Sequence, residues 1–367
     1  MIVIGHTAAY VTTPLLFGVL DKLSVYLFIF GLSLFFFVSG FVLYYSHGGI
    51  ETTADTLAFW KKRVIRIYPL YWLALISVFV LETYFNIDKY LLDASFSSMV
   101  IQLSGLQALL APRFINPIFT VWFIGVILLF YLIYPLIAYP SRDIAHMILV
   151  SCAVLLPFVV MRLAFDIIDF RFFMYYGLFV AGILASKYGV KYKLSLRPRF
   201  FCVGSVVLIA LLSLIKYVYM LQYAATAAAD GWLFNGYGLF PYTPADLPIL
   251  LSLIILLNIV ALLFIYVAFI VARLYSPSIN RTLLSLILVI AFATYSIYLF
   301  NRQVFDCVDV LVQHLHLGMV QADVALILLA FPLLLGFAYF VQRQESNIVI
   351  RIRNIKKRRQ KKEGDES

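Results

Sequence analysis

Apolar stretches of about twenty residues, enough to cross a bilayer's hydrocarbon core as a helix, recur from one end of this chain to the other. They fall near 24–46, 66–85, 118–139, 146–164, 171–187, 200–222, 248–273, 282–304 and 323–342, and a first one must contain the start of the chain, which makes about ten. What is left between them is loop, with no room for a soluble domain. Hydrophobic residues are 64% of the chain, charged residues only 13%, and the mean hydropathy is +0.98. The reading is an all-α polytopic bundle in the cell membrane: an integral domain over 1–342 and a basic tail over 343–367, too polar to pack and so a solvated helix or disordered. No charged leader, short apolar core and small-residue cleavage site open the chain, so nothing marks a removed signal.

One stretch resists assignment. FSSMVIQLSGLQALL, 97–111, is short for a span and carries Ser, Gln and Gly in its middle. If it does not cross and both termini are cytoplasmic, the basic loops 47–65 and 188–199, the 274–281 link and the tail all fall inside, while the 223–247 loop with Asp230 and Asp246 falls outside. That is the positive-inside pattern, so 97–111 reads as a re-entrant or interfacial segment on the outer side, its backbone satisfied by protein or by a water-filled cavity. The net charge of +10 is explained by these patches, which flank spans instead of covering one face of a module, so no nucleic-acid partner is implied. Membrane lipids are the implied partner of the tail. Cys152, Cys202 and Cys307 lie on separate segments without paired or ligand spacing, which gives no disulfide framework and no metal.

Two places carry chemistry beyond topology. His6 sits in MIVIGHTAAY, an apolar run, where an ionisable side chain is either a cross-helix packing group or a functional one. FFFVSGFVLYY at 35–45 is followed by FWKKRVIRIYPLYW at 59–72, which gathers Lys61, Lys62, Arg63 and Arg66 where a span begins, with Pro69 expected in its first turn. Snorkelling is the ordinary account of such cations. Arg66 lies deeper than topology requires, beside Tyr68, Tyr71 and Trp72, where a guanidinium suits a polyphosphate.

These elements, with VWFIGVILLFYLIYP at 121–135 and ATYSIYLF at 293–300 in the same order, resemble the acyltransferase 3 family of membrane proteins over most of the chain. The resemblance implies transfer of an acyl group, usually acetyl, from cytoplasmic acyl-CoA to a hydroxyl of an extracytoplasmic sugar or glycan. Acyl-CoA would be a donor substrate, with no bound cofactor. The family's first-span histidine matches His6 by its place before FFFVSGF. Its companion arginine would fall before Met1, so either the start lies upstream of Met1, which is the expectation favoured, with TTPLLFG as the helix leaving His6, or this member lacks the arginine. His6 would be the general base or an acyl carrier, and Lys62, Arg63 and Arg66 the acyl-CoA site.

Departures are visible. Where many members have a glutamate five positions after the tryptophan of the third element this chain has Ile127, and where many have a histidine after YSIYL it has Asn301. Ser39, Tyr71, Trp122, Tyr131 and Arg162 are candidates for an acyl path or acceptor site; close helix packing by Ser39 and Gly40 and interfacial placement of the aromatics are the plainer accounts. Arg162, Asp166, Asp169 and Arg171 read as a charged outer loop that holds a polar acceptor or pairs with itself on a solvated turn. His314 and His316, expected in an outer loop beside Asp306 and Asp309, are a weak metal signal, and Lys216 and Arg302 are expected to snorkel. The competing functions are a transporter or exporter of a glycan or lipid-linked sugar without acyl transfer, and a structural membrane partner without chemistry.

Overall fold

A computed structural model describes residues 1–85, 96–115, 121–139, 143–188, 203–214, 247–275 and 279–365. Most of the 188–199 and 223–247 loops, Cys202 and Lys216 lie outside the described residues. Among those described, regular structure is helical: α1 (Ile2–Thr7), α2 (Pro14–His47), α3 (Thr53–Phe85), α4 (Phe96–Ser104), α5 (Gln107–Leu110), α6 (Trp122–Ala138), α7 (Ile144–Phe165), α8 (Phe170–Lys187), α9 (Val203–Leu214), α10 (Leu247–Tyr275), α11 (Arg281–His314) and α12 (Met319–Asp365). Among the described residues, six segments are long and apolar enough to cross a membrane: Tyr26–His47, Thr53–Leu81, Ile144–Phe165, Ile254–Tyr275, Arg281–His314 and Met319–Ile350. The apolar helices α6 and α9 are shorter. The expected first span is a six-residue helix that ends at Thr7 and turns through Ala8–Tyr10.

Several helices run well past the apolar windows, because hydropathy marks what the membrane tolerates and not where backbone hydrogen bonding stops. Thr52 and Asp55 form a reciprocal cap at the start of α3, the Thr52 hydroxyl donating to Asp55 at 2.6 Å and accepting from the Asp55 amide at 3.1 Å. The cationic segment is therefore helical, and Pro69 lies in the interior of α3 instead of its first turn. Asn280 caps α11 by accepting from the Leu283 amide. α11 then continues to His314, so Asp306, Asp309 and His314 are helical and not in the expected loop.

The chain divides into two units, Met1–Val25 with Ile65–Lys89 and Ile279–Ser367, and Tyr26–Val64 with Tyr90–Ser278. In the second, α6 packs on α5, α7 and α8, and α8 on α10. The core is aromatic: Phe36 contacts Phe123, Phe130 and Tyr175 at ring-centroid distances of 5.0, 5.1 and 4.7 Å, and Phe130 stacks on Phe179 at 4.7 Å. Apolar transfer offers little between helices in lipid, so such contacts and close backbone approach supply the association. Gly40 and Gly182 provide that approach. A Cβ on Gly40 would stand 2.1 Å from the Phe179 carbonyl oxygen, and one on Gly182 would stand 2.0 Å from that of Phe37. This is the close packing expected of the SGF element. Gly177 likewise admits Asn258 of α10, whose amide donates to the Met174 carbonyl at 3.0 Å.

The 97–111 stretch is broken into two helices. α4 ends at a Gly105 with φ +77°, and α5 follows. Gly125 of α6 lets α5 approach so closely that a Cβ there would be 2.9 Å from Ala108. In the first unit α11 lies along α12, with Ser296 donating to Gln342 at 2.9 Å, and α1 packs on α11.

Candidate active site

His6 is buried on α1, next to Thr7, whose hydroxyl bonds back to the Val3 carbonyl. A helix of six residues does not hold its own position in water or lipid, and three contacts fix it. α1 packs on α11. In the turn that follows, the Tyr10 hydroxyl donates to Asp306 Oδ1 of α11 at 2.7 Å, with its ring 5.4 Å from that of Phe305. Beyond it, Asp323 of α12 accepts from the Thr12 amide at 2.9 Å, the Thr12 hydroxyl at 3.1 Å and the Thr13 amide at 2.8 Å. Asp323 thus caps the start of α2 from another helix, ahead of Pro14 at the first helical position.

His6 and Tyr10 are four residues apart, and so are Arg302 and Asp306 on α11. The Arg302 guanidinium acts electrostatically on His6. Arg302 is buried and does not snorkel, because its helix continues beyond it and packs against α1 and α12. It is flanked by buried Asn301, whose side-chain nitrogen donates to the Tyr298 carbonyl, and by Gln303, whose side-chain nitrogen reaches the Ala74 carbonyl of α3 at 3.5 Å. The amide oxygens of Asn301 and Gln303 are buried and meet no donor among the described residues. The sequence reading did not bring Arg302 and Asp306 together with α1; two charges at i and i+4 inside an apolar helix were the available signal.

The arginine cluster is placed as follows. Lys62 and Arg66 are exposed, and Arg63 is half-buried. Arg63 lies over the rings of Phe59 and Tyr131, at 5.2 and 5.4 Å, with one Nη 3.4 Å from both nitrogens of His47. Tyr131 also accepts at its carbonyl from Trp60 Nε1 at 3.1 Å. Arg66 interacts electrostatically with Glu345 of α12. Tyr71 is fully buried. Ser39, half-buried, precedes the Gly40 crossing.

Trp122 and Arg162 belong to a different cluster. The charged 162–171 segment is not a solvated turn: Arg162, Asp169 and Arg171 are buried, and only Asp166 of the four is exposed. Arg171 pairs with Asp169, which caps α8, and sits 4.1 Å from the ring centroid of Trp122. Arg162 bonds the Ile168 carbonyl at 3.3 Å and Asp166 at 3.3 Å. Ile168 has φ +79°, a left-handed conformation that costs a β-branched residue about 1–3 kcal/mol. Its amide donates to the Leu109 carbonyl at 3.0 Å and that of Asp169 to the Ala108 carbonyl at 2.7 Å, which ties the turn to α5. Among the described residues no group of His, Cys, Asp or Glu is arranged to hold a metal ion.

The profile of a family described as an acyltransferase domain, acyltransferase 3, matches residues 1–343 of the 367. The chain belongs to the acyltransferase 3 family. The six long apolar helices among the described residues fit a multi-pass membrane acyltransferase. No curated protein and no solved structure matches it.

Proposed function

We propose that this acyltransferase moves an acyl group, acetyl in the simplest case, from cytoplasmic acyl-CoA to a hydroxyl of an extracytoplasmic sugar or glycan, with His6 as general base. The observation that carries the reading is the immobilised, buried imidazole on α1, held against α11 by the Tyr10 and Asp306 bond. A packing histidine needs no such scaffold. The base takes the proton of the acceptor hydroxyl as its oxygen attacks the thioester carbon, and returns it to the departing CoA thiolate. A transient acyl-histidine is the alternative course.

Lys62, Arg63 and Arg66 are assigned to the phosphates of acyl-CoA, for which a run of cations at the start of a span is suited. The positive-inside pattern supports this placement and, with it, a bundle of ten spans with both termini cytoplasmic and a re-entrant 97–111 segment in the cell membrane. A hydroxyl-rich acceptor is supported by the open amide oxygens of Asn301 and Gln303. Trp122, Tyr131 and Arg162 are engaged with Arg171, Arg63 and Ile168, and we assign them to the framework.

The test is a mass-spectrometric survey of O-acyl esters on surface glycans and lipids. A deletion strain is complemented with wild type or with His6→Ala. One ester should vanish in the deletion, return with wild type and stay absent with a normally inserted His6→Ala protein. Unchanged esters, together with substrate flux that ignores acyl-CoA, would favour the transporter instead.

A further inference from the structure

We propose that His47 is a positioning residue for the acyl-CoA donor: its imidazole accepts an N–H of Arg63 and holds that guanidinium in the orientation in which it meets the donor's phosphates. The inference rests on the assignment of Arg63 to the acyl-CoA site given above and deepens it. It stands on the meeting of α2, α3 and α6 around one arginine.

The end of α2 is fixed first. His47 is its last residue, and Gly48 follows with φ +62°, a left-handed conformation that glycine adopts without strain. The Gly48 amide donates to the Tyr44 carbonyl at 2.8 Å, and the Gly48 carbonyl accepts from the hydroxyl of Tyr134, a buried residue of α6, at 3.0 Å. The imidazole has an equally definite setting. Its Nδ1 lies 3.3 Å from the Leu43 carbonyl, and the ring meets Phe59 of α3 edge to face, with 5.5 Å between centroids. Phe59 in turn lies against Tyr134 at 5.0 Å.

These contacts assign the tautomer. A carbonyl oxygen only accepts, so Nδ1 carries the proton; a guanidinium only donates, so the nitrogen that serves Arg63 is the one with a lone pair, Nε2. One Nη of Arg63 stands 3.4 Å from both ring nitrogens, and of the two only Nε2 can accept from it. His47 is thus a neutral imidazole engaged at both nitrogens. That suits an anion site. A carboxylate in the same place would orient the arginine by pairing with its charge, whereas a lone pair orients it and adds no opposite charge. Phe59 and Tyr131, with ring centroids 5.2 and 5.4 Å from the guanidinium carbon, confine it further. A long side chain that binds a phosphate gives up rotamers when it does so. Holding it beforehand moves that cost into folding, and for one such side chain the gain is about 2–10-fold in affinity.

The experiment uses the full-length protein in lipid nanodiscs. CoA is the binding probe, titrated calorimetrically; kcat and KM for acetyl-CoA are read by thiol release, with polar lipids and glycans extracted from the deletion strain as acceptors. Arg63→Ala should weaken CoA binding about tenfold. His47→Ala should raise Kd for CoA and KM for acetyl-CoA together, about 2–10-fold, while kcat stays within about twofold. His47→Gln, whose Oε1 can accept at the place of Nε2, should recover part of the loss, which a residue that only fills space would not. In the Arg63→Ala background, His47→Ala should change Kd by less than about 1.5-fold, because a residue that acts through Arg63 has nothing left to act on. Should His47→Ala not fold, His47→Phe, which keeps a ring against Phe59 and offers no acceptor, is judged by the same criteria. A Kd unchanged by loss of the imidazole, or effects of His47 and Arg63 that simply multiply, overturns the inference and leaves the donor assignment standing. A wild type that does not bind CoA, or an Arg63→Ala variant that binds it as tightly as wild type, sinks that assignment and the inference with it.

Discussion

Asp323 offers the most quantitative test of how the segment that carries His6 is held. Its buried carboxylate accepts from two backbone amides and one hydroxyl at the entry to α2. Replacement by Ala leaves the Thr12 and Thr13 amides without their acceptor. Each such loss costs about 1–3 kcal/mol when the donor stays buried, so the two together cost about 2–6 kcal/mol, with partial relief if the turn opens. The three bonds share one side chain and are not additive, which places the expectation near the middle, at about 4 kcal/mol. Asp323→Asn keeps one oxygen but sets an NH₂ against one amide, and should lose about half as much. The assay is reversible unfolding in mixed micelles by SDS titration. A loss below about 0.5 kcal/mol for Asp323→Ala would refute the idea that this carboxylate anchors the turn. In parallel, the fraction that remains folded should transfer acyl groups more slowly, since His6 is six residues from the released Thr12.

Further outcomes follow from the same physical terms. Arg171→Met leaves the Asp169 carboxylate buried without its partner and should cost about 3–5 kcal/mol in the same titration, whereas the double change to Met and Asn should recover a measurable part. Arg63→Ala should raise KM for acetyl-CoA about tenfold with little change in kcat, the signature of uniform substrate binding. Tyr10→Phe removes one hydrogen bond to a carboxylate and should cost about 1.5–3 kcal/mol in the unfolding titration, with the α1 contact the first to open. Gly182→Ala drives a methyl against the Phe37 carbonyl and should reduce the yield of folded protein; normal yield and stability would mean the helices can part without loss.

The membrane character of the chain, most helix positions and the family were legible in the sequence, because apolar runs and the FFFVSGF and KKRVIRIYPLYW elements are local. The 97–111 stretch was legible as too short and too polar for an ordinary span, but the break at Gly105 was not expected from it. Boundaries were not legible either. α3 and α11 run beyond their apolar windows because charged residues stay helical, and this moved Pro69 into a helix interior and Asp306 out of a loop. The charged 162–171 segment read as wet because nothing local reports that Trp122 covers Arg171. Arg302 was hidden for a similar reason. Its neighbour His6 is almost the length of the chain away, and periodicity describes a helix's faces without naming what they meet.

The crossing of Gly40 and Gly182 sets a rule for how sequences of this kind can drift. In the aromatic cluster of Phe36, Phe130 and Phe179, a larger ring on one helix can be offset by a smaller one on its neighbour, so paired changes have a route. At the glycines the obstacle on each side is a carbonyl oxygen of the opposite backbone, which no substitution can shrink. A second mutation therefore has nothing to offer the first. Both positions should stay glycine in any functional variant library, independently of each other and without compensating partners anywhere else in the bundle.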